Sequence, residues 1–267
     1  DVDSGGTEAK VRMASSIEES WLDPSRIRIV DEPFFHPTLG AVVARRRRYF
    51  EDLILNESPI TCEPTPQTAE LLADQAFPIL RTLFPSSDTE VIRFIERVRF
   101  LNVALPESDI QPLDDDAVRA VLLELCQTRT SIDELRTAPW IDYLRGLYDY
   151  QKLQWIDQQA PAKMKVPSGN FVTIHYENRK RPWMEVKIQE LFGWRTTPTI
   201  AAGKVPLQLH LLGPNHRPQQ ITEDLENFWK ETYAIVRKEL KRRYPRHHWP
   251  DDPTTASATP RGLKPKD

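Results

Sequence analysis

Residues 238–253, KELKRRYPRHHWPDDP, bring basic, aromatic, imidazole and carboxylate side chains into one short stretch. Two chemistries suit that mixture. Arginines and aromatic rings hold single-stranded nucleic acid by phosphate contact and base stacking, whereas imidazoles beside carboxylates are zinc ligands. Spacing argues against zinc: His210, His216, His247 and His248, with Asp251 and Asp252, match no metal-site pattern and read as loop residues. The first chemistry survives in part. Lys238, Lys241, Arg242 and Arg243 close a helix, where each cation opposes the negative dipole end by about 0.3–1 kcal/mol without any ligand. Tyr244, Arg246 and Trp249 lie past that end, in an extended segment marked by Pro245 and Pro250. Their rings either dock on a core, the commoner fate, or offer stacking faces. Arg242, Arg243, Tyr244, Arg246 and Trp249 are therefore the first candidate contacts for a single strand.

Arg45, Arg46, Arg47 and Arg48 form the densest basic run and the second candidate. On a strand, Arg45 and Arg47 point to one face and Arg46 and Arg48 to the other, so at most half can serve one surface. The competing reading pairs them with Glu32, Glu51 and Asp52 on a solvated face.

Catalytic motifs are missing. Gly203-Lys204 lacks both the earlier glycine and the hydroxyl residue of a phosphate loop, and HExxH, GxSxG and GxGxxG do not occur. Asp114, Asp115 and Asp116 read as the acidic first turn of a helix. No catalytic residue, metal ligand or cofactor is assigned within this sequence. The net charge of -3 restricts any polyanion contact to local patches. Two cysteines, Cys62 and Cys126, are too few for a disulfide framework and fit a reducing, cytoplasmic setting. No run of apolar residues reaches membrane-span length, no leader is readable, and the missing initiator Met suggests a piece of a longer chain.

Around these residues the periodicity predicts an α+β chain. Residues 1–60 read as β-rich, the second half of an OB-like barrel, and open with a strand, a turn at Ser4-Gly5-Gly6 and a second strand. Residues 61–162 read as helical: a first helix broken at Pro78, then one with Val91, Phe94, Ile95, Val98 and Leu101 on one face and a cap at Ser87 or Asp88. Residues 163–253 read as a small α+β unit: strand, Pro-Ser-Gly turn, strand, a short helix ending at Gly193, then alternating Val205, Leu207, Leu209 and Leu211. A covering helix opens at Thr222, with Leu225, Phe228, Trp229, Thr232 and Val236 inward. Residues 254–267 carry too little apolar content to fold and are expected to form a flexible tail.

Taken in order, VPSG, VKIQELFG, VPLQLHLLGPNHRPQQIT, DLENFW and VRKELKRRYPRHHWPDDP resemble the C-terminal region of HrpB-type bacterial ATP-dependent helicases, relatives of the DEAH/RHA group. GAVVARRRRYFEDLILNESPI resembles the part of that family that follows its small β-barrel region. The resemblance runs from about residue 1 to 253 and is densest from 163 onwards. One local departure is His248, where the family usually has proline. The resemblance implies upstream RecA-like motor domains that bind ATP and Mg²⁺, with the phosphate loop, DEAH box and arginine finger there. None of those motifs is in this sequence, so no catalytic residue carries over and the chain alone is expected to be inactive. The implied role is an accessory region of an RNA or DNA helicase that contacts single-stranded nucleic acid or positions the motor. The alternative is a protein-interaction or recruitment module without nucleic-acid contact.

Overall fold

The computed structural model describes residues 2–3, 10–11, 15–83, 90–177 and 180–263. The architecture is α+β, in two compact units: Asp1–Pro78 with Leu123–Thr137, and Ile79–Leu122 with Ala138–Asp267. The helical stretch expected over 61–162 is therefore not a body of its own; its helices are shared between the two units.

In the first unit, strands Ile27–His36, Ala41–Phe50 and Leu53–Ile60 form an antiparallel meander with Ala41–Phe50 in the middle. Tight connections impose that order. The first turns through Gly40 at φ +59°, a conformation that glycine adopts without strain. The sheet is open, and no closed barrel forms among the described residues. Val2–Asp3 pairs with Lys10–Val11, while the turn expected at Ser4-Gly5-Gly6 lies outside the described residues. Helix Pro66–Ala76 starts from a reciprocal cap between Thr65 and Thr68 and packs on the first two strands. Its buried Ala69, Ala73 and Ala76 suit a close approach to the sheet, where Val42 and Ala44 are buried. A 3-10 turn containing Pro78 interrupts it, as a missing amide donor requires. The Val42 amide donates to the Thr130 carbonyl at 2.7 Å and Ile132 donates to Gly40 at 2.8 Å, which anchors the later segment of this unit.

In the second unit, helix Glu90–Ala104 buries Phe94, Ile95, Val98 and Leu101, with Ile92 and Arg97 added. Val91 is half-buried, and the expected cap at Ser87 or Asp88 lies outside the described residues. Arg97 is tolerated inside because it donates to the Ala160 carbonyl and to Asp157, both at 2.5 Å. Strand Gln208–Leu212 is the centre of a three-stranded sheet, parallel to Trp183–Lys187 and antiparallel to Pro218–Thr222. Leu209 and Leu211 are fully buried, as their alternation predicts. The short helix expected before Gly193 is instead that Trp183–Lys187 strand followed by a 3-10 turn, Ile188–Glu190.

The last helix differs in start and phase. Thr222 ends a strand, and Asp224 is the cap, accepting from the Asn227 amide at 2.9 Å. A five-residue π turn, Phe228–Thr232, separates Leu225–Asn227 from the helix Tyr233–Arg243. The wider turn inserts one residue. The inward set consequently moves from Thr232 to Tyr233, and Leu240 is the next buried residue.

The tail expected over 254–267 is fastened down as far as Leu263. Gly193 donates to the Pro253 carbonyl at 2.9 Å, His248 donates to Gly262 at 2.8 Å, and His247 bridges Leu263. Asp252 accepts from the Thr254 amide and from the hydroxyls of Thr254 and Thr255. Backbone pairing and this carboxylate turn replace the apolar burial that the composition lacks. Residues 264–267 lie outside the described part.

Candidate nucleic-acid interface

The four consecutive arginines lie on the central strand of the first unit, where cross-strand register decides their partners. Arg46 stands opposite Asp31, and Arg45 opposite Glu32. Arg47 stands opposite Glu57 on the other neighbour. Arg46 grips Asp31 through two bonds of 2.7 and 2.9 Å, and Arg47 spans Glu57 at 2.7 Å and Glu32 at 2.9 Å. Arg48 meets Glu19 at 2.5 Å. Arg45 lies 3.5 Å from Glu57 and 3.7 Å from Glu32, with its guanidinium 4.5 Å from the Phe34 ring centroid. Hydrogen bonding from Tyr49, and then the nearby Arg47 and Arg45, holds the Glu32 carboxyl below the usual range; the Arg46 hydrogen bond does the same for Asp31. The expected partners Glu51 and Asp52 serve Arg26 and Arg28 instead. All four cations are thus matched by carboxylates of their own sheet or of Glu19.

The end of the Tyr233–Arg243 helix has the opposite character. Arg237 pairs with Asp251 and donates to the Pro250 carbonyl at 3.2 Å. Lys238, Lys241, Arg242, Arg243 and Arg246 are exposed, and among the described residues none of the five has an ion pair. They form a cationic surface at the negative end of a helix, open to an anion from solvent.

The aromatic candidates divide. Trp249 is only 6% exposed, and its indole nitrogen donates to the Tyr244 carbonyl at 2.9 Å, so its ring belongs to the core and offers no stacking face. Tyr244 is half-buried, edge-on to His247 at 5.7 Å. An aromatic cluster of Phe192, Phe228, Trp229 and Tyr233 reaches this segment through His248, which Phe192 meets edge-on. Burial, and next the charge of Lys187, lowers the pKa of His247.

Sequence reasoning missed two surface features of this unit. His175 and His210 stack on opposite sides of Trp183, with centroids 4.1 and 4.4 Å from it. Strand alternation accounts for half of this, since the parallel register pairs Trp183 with Gln208 and His210 lies two residues further along, on the same face. Burial lowers the pKa of His210. The second feature is Phe171, 66% exposed on the hairpin Lys163–Lys165 and Phe171–Thr173, opposite Lys165 and on the same face as Lys163. A groove of about 850 Å³ also opens in this unit, with Phe100, Val103 and Leu113 among its apolar lining. Its rim is internally neutralised: Arg81 pairs with Glu96 at 3.4 Å, Arg99 with Asp115 at 2.6 Å and Lys180 with Glu177 at 2.5 Å. Among the described residues, no group of three or more His, Cys, Asp or Glu side chains is arranged to hold a metal ion.

The HrpB C-terminal family, described as ATP-dependent helicase C-terminal, matches residues 121–253. The ATP-dependent RNA helicase HrpB of Escherichia coli K12 is 44% identical over 174 residues, covering 63% of this chain and 22% of that protein. The chain belongs with the C-terminal regions of HrpB-type helicases. Two crystal structures extend the likeness beyond the matched segment. The E. coli DExH-box NTPase HrpB aligns over 97% of this HrpB-type chain and 33% of its own, with a TM-score of 0.69 and 31% identity. The E. coli DEAH/RHA helicase HrpB aligns over 87% and 30% respectively, with a TM-score of 0.59 and 31% identity. This chain therefore spans about a fifth of the curated relative and about a third of each solved chain. No helix among the described residues of this HrpB-type region is long and apolar enough to cross a membrane.

Proposed function

We propose that this chain is an accessory region of an ATP-dependent RNA helicase that acts in the cytoplasm and contacts single-stranded nucleic acid through the end of its Tyr233–Arg243 helix. The observation that carries this reading is the contrast between the two basic clusters. Arg45 through Arg48 are matched by acidic partners, while Lys238, Lys241, Arg242, Arg243 and Arg246 are exposed without one among the described residues. Phosphates gain most from cations that have no other partner to leave. ATP and Mg²⁺ belong, in this reading, to motor domains of the same polypeptide, and this region holds the strand as it passes the motor. The four strand arginines have a structural role, and Trp249 positions the Arg246 loop without touching the strand.

The test compares the chain with its Arg242→Ala, Arg243→Ala, Arg246→Ala triple variant, in binding to a single-stranded oligonucleotide over a series of salt concentrations. Each lost phosphate contact lowers the slope of log affinity against log salt by about 0.7, so the triple variant should lose up to about 2. Equal affinities and equal slopes would sink the proposal. A second reading, a protein-docking module, is favoured by the groove, where Val103 is 83% exposed beside Leu113. It predicts instead that Val103→Glu abolishes partner capture by the full-length helicase while nucleic-acid binding is unchanged.

A further inference from the structure

The hairpin that precedes the sheet of the second unit has its own arrangement of charge and aromatic surface. Its register sets Lys165 directly opposite Phe171 and Lys163 opposite Thr173, so these four residues share one face. Lys163, Lys165 and Phe171 on that face are exposed, while Met164 and Val172 on the reverse are half-buried. Among the described residues neither lysine has an ion pair, and Phe171 leaves 66% of its surface in water. A fold that only needed a stable hairpin would gain little from an exposed ring opposite one unmatched lysine and diagonal to another.

The platform is rigid. Gly169, at φ +89°, closes the turn, and the Val166 amide donates to the Asn170 carbonyl at 2.9 Å. The tip is tied to the Ile188–Glu190 turn: Ser168 donates its amide to the Glu190 carbonyl at 3.2 Å, and its hydroxyl to the Glu190 carboxylate at 3.0 Å. Asn170 adds an amide bond of 2.7 Å to the same carboxylate. Side chains held on such a frame lose little entropy when a ligand binds. Lys187 lies just before the turn that anchors the hairpin, and its charge is felt by His247, next to Arg246. Cations therefore occur at the hairpin, at its anchor and at the helix end, all within one unit.

We propose that Phe171 is a stacking platform for one unpaired base of a single-stranded nucleic acid, with Lys165 and Lys163 on the adjoining phosphates. Charge complementarity selects a polyanion, and the exposed ring selects one whose bases are free to leave a stack; in a duplex they are not. The inference rests on the reading that this region contacts a single strand, and assigns the stacking role that the buried Trp249 does not fill.

The experiment uses the whole chain and a fluorescently labelled single-stranded oligonucleotide, with Phe171→Ala, the Lys163→Ala, Lys165→Ala pair, and Phe171→Trp. Phe171→Ala should weaken binding by about 5- to 150-fold with the salt slope unchanged, because stacking is lost and no phosphate contact is. The lysine pair should lower the slope by up to about 1.4. Phe171→Trp should retain affinity and lose indole emission as the base stacks on it. Unfolding curves check that each variant folds, and the exposure of Phe171 predicts that they do. If Phe171→Ala binds like the parent while the Arg242, Arg243, Arg246 variant is weakened, the stacking site is wrong and the helix-end contact stands. If the parent shows no salt-dependent binding and Phe171→Trp shows no quenching, both fall.

Discussion

The indole N–H of Trp249 donates to the backbone carbonyl of Tyr244 across five residues of chain, at 2.9 Å. That bond folds the segment after the basic helix back on itself. The same carbonyl accepts from the His247 amide at 3.1 Å, so one oxygen gathers both ends of the loop. Trp249→Ala should therefore lower unfolding free energy by about 3–5 kcal/mol, the usual loss for a buried aromatic ring. Urea denaturation measures it. The salt slope of single-strand binding should remain that of the parent wherever the variant is folded, and a changed slope at unchanged stability would return Trp249 to the binding surface.

Glu32 sits between the Tyr49 hydroxyl and the Arg47 guanidinium, and these bonds with the Arg45 charge depress its pKa. A carboxylate whose folded pKa lies below its unfolded value of about 4.3 stabilises the fold above that value. The contribution disappears as pH falls through the folded pKa. Unfolding of Glu32→Gln, followed against pH, should differ from the parent at neutral pH and converge with it in acid. Curves that stay parallel down to about pH 3 would show that the charge of Glu32 adds nothing to the sheet.

These two sites show what was legible in the sequence. Strand alternation placed Arg45 and Arg47 on one face, and composition suggested local carboxylate partners, but Glu51 and Asp52 were the wrong ones because register, not proximity in sequence, selects Asp31 and Glu57. The buried alternation of Leu207, Leu209 and Leu211 was readable because a two-residue period survives any tertiary context. The π turn at Phe228–Thr232 was not, since a single inserted residue leaves no mark on composition and yet moves every later side chain by about one helical position. For the tail, low apolar content hid an anchorage made of backbone bonds, which hydropathy does not register. Phe171 was within reach, because a K-x-K strand, a Pro-Ser-Gly turn and a following phenylalanine fix the shared face without coordinates.

Gly262 and Gln189 give the last test. Gly262 is buried at φ +65°, and a Cβ built there would lie 3.3 Å from the Gln189 Cβ and Cδ. Gln189 is fully buried, and neither its amide nitrogen nor its oxygen finds a hydrogen-bond partner among the described residues. An unsatisfied buried polar group costs about 1–3 kcal/mol, so a shape-matched apolar side chain should recover part of that. Gln189→Met is expected to raise the unfolding midpoint and to keep the 254–263 strap resistant to protease. Gly262→Ala should do the reverse, because it adds backbone strain and forces Gln189 to move. Its first effect should be cleavage within 254–263 at denaturant concentrations where the rest of the unit remains folded. A destabilised Gln189→Met would mean that the amide has hydrogen-bond partners and that losing them costs more than the apolar side chain recovers.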